Sequence, residues 1–222
     1  MSDNQLIRVL VLIDGFNLYH SIVDLCKAHQ ATKNLNYLKW LNLYSLSNAF
    51  IPKSKQTIVG VKYFTAYANW LKNGQPQRHK LYVEALKSVD VEAIFGSFKT
   101  KKKACKNCST TWDSHEEKAS DVNIAIHLVS EAYKDTFDRA IILTADTDIV
   151  PAISMVKNIF PNKIIDVAIP KHRKINKTEL KNACDNMIEI KLSHFERNLF
   201  PERIDLGNGK IINAPAEYIK PR

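Results

Sequence analysis

Five short runs dominated by apolar and β-branched residues recur along the chain: "VLVLI" at 9–13, "TIVGVKYF" at 57–64, "VEAIF" at 91–95, "AIIL" at 140–143 and "IIDVAI" at 164–169. Runs of this length suit buried strands. Between them, apolar positions take helical spacing near residues 17–28, 37–49, 75–88, 120–133 and 148–159, and a shorter helix fits 178–185. Strand and helix patterns that alternate in this way predict an α/β fold, a central and mostly parallel sheet flanked by crossover helices.

Two stretches break the pattern. Residues 99–118, "KTKKKACKNCSTTWDSHEEK", have no apolar periodicity and read as a long loop or insertion. From Phe200 onward the chain carries Pro201, Gly207, Gly209, Pro215 and Pro221 without the pattern of another packed element. The expected organisation is one domain over 1–199 with a basic insertion at about 99–118, then a tail at 200–222. A length of 222 residues with 45% hydrophobic content is enough for one core. No apolar run approaches the roughly 20 residues needed to span a bilayer, and the polar start Met1-Ser2-Asp3-Asn4-Gln5 is unlike a secretory signal. A soluble, cytoplasmic protein is expected, with no membrane partner; the oligomeric state is left open, a homodimer included. Four cysteines with a single close pair argue for reduced thiols rather than a disulfide framework.

Charge changes the picture. Lys and Arg outnumber Asp and Glu by 32 to 23, a formal charge of +9 that favours a polyanionic partner such as nucleic acid. Acids that gather against this basic background point to a cation site. The stretch "LTADTDIVPAI" sets Asp146 and Asp148 just after an apolar run, at a strand's carboxyl end, where open α/β sheets bind ligands. Either acid is also an ordinary helix N-cap. Two neighbouring carboxylates, however, raise each other's pKa unless something compensates. In "LIDGFNLYH", Asp14 ends the first strand, Gly15 permits a tight turn and Asn17 can cap the following helix. In "EEKASDVNIAIHL", Asp121 opens a helix, where the helix dipole also favours an acid. Asp14, Asp121, Asp146 and Asp148 can therefore meet at one sheet edge. Hard oxygen ligands of this kind suit Mg²⁺ or Mn²⁺, able to activate water against a phosphodiester, with Asn17 and Thr144 orienting ligands or substrate.

In order and spacing, "VLVLIDGFNLYH", "EEKASDVNIAIHL" and "DRAIILTADTDIVPAI" resemble the NYN-domain family of PIN-like nucleases, over about residues 7–190. The resemblance implies a Rossmann-like fold and a Mg²⁺-dependent ribonuclease site at these four aspartates, with RNA as the substrate. Ala145 stands where that family often has Gly. A rival reading takes "DTDIV" as the D-x-D-x-[TV] motif of a haloacid-dehalogenase-like phosphatase, but that motif normally follows the first strand of its fold. A catalytically silent nucleic-acid-binding module is the third reading.

Secondary features remain. Cys105 and Cys108 have the spacing of a zinc half-site, with His115 nearby and His79 a more distant candidate for a structural Zn²⁺. Lys99, Lys101, Lys102, Lys103 and Lys106 adjoin Trp112, so a basic loop with an aromatic side chain can grip phosphates and stack a base. The bland alternative is a solvated face. His20, one turn beyond Asn17, is expected as a packed or surface residue, and Tyr63, Phe64, Tyr67 and Trp70 as packing aromatics.

Overall fold

The computed structural model describes residues 5–29, 33–105, 108, 110–172, 178–207 and 209–221. In chain order it forms β1 (Ile7–Asp14), α1 (Gly15–His29), a 3-10 turn (Asn36–Lys39), α2 (Leu43–Asn48), β2 (Gln56–Thr65), α3 (Gln75–Lys87) and β3 (Val91–Phe95). A hairpin of β4 (Ser97–Ala104) and β5 (Thr111–Lys118) then leads into α4 (Ser120–Tyr133), β6 (Arg139–Leu143), a 3-10 turn (Thr147–Ile149) and α5 (Val150–Ile159). Next come β7 (Ile164–Pro170), α6 (Thr178–Ala183), β8 (Asn186–Ile190) and α7 (Leu192–Arg197), and a second small hairpin of β9 (Arg203–Asp205) and β10 (Ile211–Asn213) precedes a last 3-10 turn (Ala216–Tyr218).

Six strands make one sheet in the order β3-β2-β1-β6-β7-β8, and each neighbouring pair is parallel. Along β1, alternate side chains enter two different cores. Val9, Val11 and Ile13 join Leu18 and Ile22 of α1, Leu43 of α2 and Leu86 of α3. On the opposite face Leu10 and Leu12 join Ile124 and Leu128 of α4, Ile153 of α5 and Leu180 of α6. A strand buried on both faces reads as a continuous apolar run, which is why "VLVLI" has no polar alternation. Each such side chain contributes about 1.5–3 kcal/mol on burial. Among the described residues no helix is long and apolar enough to cross a membrane.

The structure corrects four expectations. Residues 99–118 are not an irregular loop: β4 and β5 pair antiparallel from Ser97↔Lys118 to Ala104↔Thr111. Both faces of this ladder are polar, so backbone pairing left no apolar alternation to read. The edge strand β8 was missed because only Ile190 among its residues is fully buried. The pattern at 37–49 breaks into a 3-10 turn and a short α2, whose start Asn42 caps by accepting the Ser45 N–H at 2.9 Å. Finally, the tail packs: Phe200 and Ile212 are buried in the first core, and Trp40 Nε1 donates to the Pro201 carbonyl at 3.0 Å.

Candidate metal centre and its surroundings

The strand order reverses between β1 and β6, so these neighbours form the topological switch point of the sheet, and their carboxyl ends flank a natural ligand crevice. Asp14 is the last residue of β1 and is only 4% exposed. Its Oδ1 accepts the Asn17 backbone N–H at 2.9 Å and its Oδ2 accepts the Thr144 hydroxyl at 3.0 Å. Asp14, rather than Asn17, is thus the cap of α1, and Asn17 serves through its main chain. Gly15 is required by close approach: a Cβ there would stand 2.5 Å from both the Phe64 carbonyl oxygen and the Tyr63 ring.

Thr144, buried just past β6, ties the second acidic segment to the first. While donating to Asp14, its Oγ1 accepts the Asp146 N–H at 3.1 Å. Asp146 Oδ1 in turn accepts the Asp148 N–H at 3.0 Å, which starts the 3-10 turn that runs into α5. Ala145 needs no glycine conformation, since the described non-glycine residues with positive φ are Asp90, Ala119 and Asp135. Asp121 arrives from a third direction, in the first turn of α4, after Ala119 turns the chain at φ 74°. Asp121, Asp146 and Asp148 each offer a ligand atom within 4.8 Å of the others.

The electrostatics of this cluster are unfavourable without a cation. Burial lifts the Asp14 carboxyl to about 6, against the two hydrogen bonds that favour its ionised form, and the charges of Asp121 and Asp146 push the same way. Burial likewise raises Asp121, with Asp146 and Asp148 adding to it. Glu117, at the end of β5, was not singled out in the sequence: it is raised by burial, donated to by the Ser120 hydroxyl, and exposed to the fields of Asp14 and Asp121. Its only sequence signal was its place four residues before Asp121. Hard carboxylate donors, partly exposed and mutually repelling, fit a divalent cation that keeps several waters. The phosphatase motif, by contrast, would need its aspartates after the first strand, and Asp146 follows β6.

The remaining candidates separate. On an antiparallel pair, opposed residues share a face and successive ones alternate. Lys101 and Lys103 therefore lie with Trp112 and Glu116 on one face, while Lys102 shares the other with Phe98, His115 and Glu117. Lys101 is bound to Glu116 at 2.8 Å, and Lys103 approaches the same carboxylate at 3.9 Å. The hydrogen bonds of Lys101 and Lys118 hold Glu116 down at about 2. Trp112 is exposed on the far side of the hairpin, whereas Trp70 stacks on His115 with centroids 3.8 Å apart. Lys106 lies outside the described residues.

The proposed zinc set is not gathered among the described residues. Cys105 and Cys108 stand near the hairpin tip as free thiols, but His115 is four positions down β5 from Thr111, stacked on Trp70 and hydrogen-bonded to Thr100. His79 is half-buried on α3, its Nε2 3.0 Å from the Thr65 hydroxyl. His20 is exposed and packs edge-on against Phe16.

Comparison with known proteins agrees with this architecture. A solved protein of unknown function from Vibrio parahaemolyticus shares the fold, with a TM-score of 0.53 at 19% identity, covering 90% of this chain and 99% of that one. The chain is 26% identical to 6-hydroxy-3-succinoylpyridine 3-monooxygenase HspA of Pseudomonas putida, over 88% of this chain and 67% of that protein. The model of the NYN domain matches residues 8–191, which takes in β1, α4, β6 and all four aspartates. With that match over most of its length, the chain belongs to the NYN domain family.

Proposed function

We propose that the protein is a divalent-metal-dependent nuclease acting on RNA. The observation that carries this reading is the approach of Asp121, Asp146 and Asp148 to within 4.8 Å of one another, beside the buried Asp14. These residues would hold Mg²⁺ or Mn²⁺, which when bound polarises a phosphodiester and lowers the pKa of attacking water. Thr144 joins the Asp14 carboxylate to the Asp146 main chain, so the two acidic segments are set relative to each other before any ligand arrives. Positive charge entering the cluster would offset the burial that raises the Asp14 pKa and favour its ionised form, as ligand or base. The basic surplus of the chain supports a phosphate-rich substrate. RNA as the polymer follows from the resemblance of the family to PIN-like ribonucleases.

The test is incubation of the purified chain with labelled single-stranded RNA, duplex RNA, single-stranded DNA and a phosphomonoester, in Mg²⁺, Mn²⁺ or EDTA. Cleavage of RNA in metal and none in EDTA is expected, with Asp146→Asn reducing the rate by about 100-fold or more while the circular dichroism spectrum is unchanged. Hydrolysis of the monoester alone would make the protein a phosphatase. RNA binding without cleavage in any metal would make it a binding module.

A further inference from the structure

Beside the acids lies a cavity of about 340 Å³, bounded by α1, α3, the end of β2 and the inner face of the β4-β5 hairpin, and closed by the 3-10 turn of the tail. Its volume falls in the range of roughly 300–1,000 Å³ typical of small-molecule sites. The wall is built from flat side chains: Phe16 and Tyr19 of α1, Trp70, Phe98 of β4, and Tyr218 of the tail. His79 also lines it, and burial lowers this imidazole to about 4, so that part of the wall is uncharged at neutral pH.

The lining carries charges of both signs. Glu117, which feels Asp14 and Asp121, is part of the wall, and Gly15, the residue after Asp14, also lines the space. Two cations, Lys39 and Arg78, share the lining with Tyr19 and Tyr218. Arg78 Nη1 reaches Glu217 at 3.2 Å, but its Nε is buried with no hydrogen-bond partner, the only such side-chain atom among the described residues. Lys39 sits 5.8 Å over the Tyr19 ring and 5.9 Å over Tyr218, and burial lowers its pKa, with the charge of Arg78 adding to the effect. An anion placed beside these two cations would relieve the repulsion between them.

We propose that this cavity binds one unstacked nucleotide, with its base among the aromatic rings and its phosphate on Arg78 and Lys39. Flat neutral walls suit a nucleobase of any identity, because every base has a π-face to stack. The charged groups sort the nucleotide: its phosphate pairs with Arg78 and Lys39, and the acidic Glu117 and Asp14 are left to the metal-bound linkage of the strand. A base can enter only when it is out of a duplex, so the site favours single-stranded substrate. The assignment deepens the nuclease reading and rests on it for the claim that the nucleotide belongs to a strand.

Calorimetric titration of the full chain in EDTA separates the two. Adenosine and uridine monophosphates are expected to bind one to one, and Arg78→Gln to weaken them about tenfold or more while leaving the affinity for adenosine unchanged. Lys39→Gln is the second variant and carries the same expectation, which keeps the test valid if Arg78→Gln does not fold by its melting curve. Inorganic phosphate and pyridine-3-carboxylate report whether an anion alone, or any flat anion, suffices. Preference for the pyridine acid over both nucleotides, or nucleotide affinity untouched in both variants, would overturn the proposal. So would RNA cleavage in metal with no mononucleotide binding, a result that leaves the nuclease reading intact. Nucleotide binding without cleavage would sink the nuclease reading and keep the pocket.

Discussion

Asp14 holds two hydrogen bonds and an unfavourable charge at once. Its pKa is raised from the ordinary 3.8 to about 6, so below pH 4 both the folded and unfolded chains carry its proton and no penalty exists. Between pH 4 and 6 the fold keeps a proton that the unfolded chain has lost, and stability falls as pH rises; above 6 the full penalty remains, on the order of 1–3 kcal/mol. Asp14→Asn keeps an acceptor for the Asn17 N–H and removes the charge. In EDTA at pH 8 its melting temperature is expected to exceed that of the parent by about 2–4 °C per kcal/mol regained, with the gap closing toward pH 4. A gap of the opposite sign at pH 8 would show that the hydrogen bonds to the ionised carboxylate outweigh its burial. Cys108 offers a second residue-level test. Its hydrogen bond with the Thr110 hydroxyl, aided by the Thr110 backbone and Cys105, lowers the exposed thiol to about 7. Alkylation by iodoacetamide should reach half its limiting rate near pH 7, where an unperturbed thiol needs about 8.5.

At the scale of elements, the β4-β5 hairpin decides how the lysine run can be used. A loop would let all the lysines turn to one phosphate backbone, but strand alternation sends Lys102 to the face of Phe98 and His115, and Lys101 with Lys103 to the other. Those two already meet Glu116, while no ion pair of Lys102 forms among the described residues. Lys102→Ala is therefore expected to lower the salt slope of single-stranded RNA binding by about 0.7, and Lys101→Ala by less. Equal effects of both, measured by titration at several ionic strengths, would mean that the Glu116 pairs open on binding. The same alternation explains why the aromatic beside the run in sequence, Trp112, faces away from the cavity, and why Trp70, 29 residues before Lys99, stacks on the hairpin instead.

Across the whole molecule, the tail connects stability to the site. Phe200 packs 5.6 Å from the Trp40 ring in the first core, and the chain beyond it brings Tyr218 to the cavity wall. Phe200→Ala should cost about 3 kcal/mol or more, seen as a melting-temperature loss of roughly 6–12 °C. Nucleotide affinity should fall with it, because the tail that carries Tyr218 loses its anchor. A variant as stable as the parent would show that the tail is held by its own hairpin rather than by the core.

What the sequence by itself determined was the α/β alternation, five of the six sheet strands and the acids at strand and helix ends. These are local properties: a strand buried on both faces must be apolar throughout, and a polar residue that ends such a run must sit at the sheet's edge. That Asp14, Asp121, Asp146 and Asp148 come from β1, α4 and the turn after β6 was legible; that Thr144 binds Asp14 and Asp146 together depends on the pairing of β1 with β6. Only the tertiary structure decided the remainder. The polar hairpin and the tail carry little periodic signal, since their order comes from backbone pairing and from contacts with distant residues. The cavity is assembled from α1, α3, β2, the hairpin and the tail, segments spread over two hundred residues. No local pattern could announce that Arg78 and Tyr218 share one wall, because that proximity exists only after the sheet has brought its connections together.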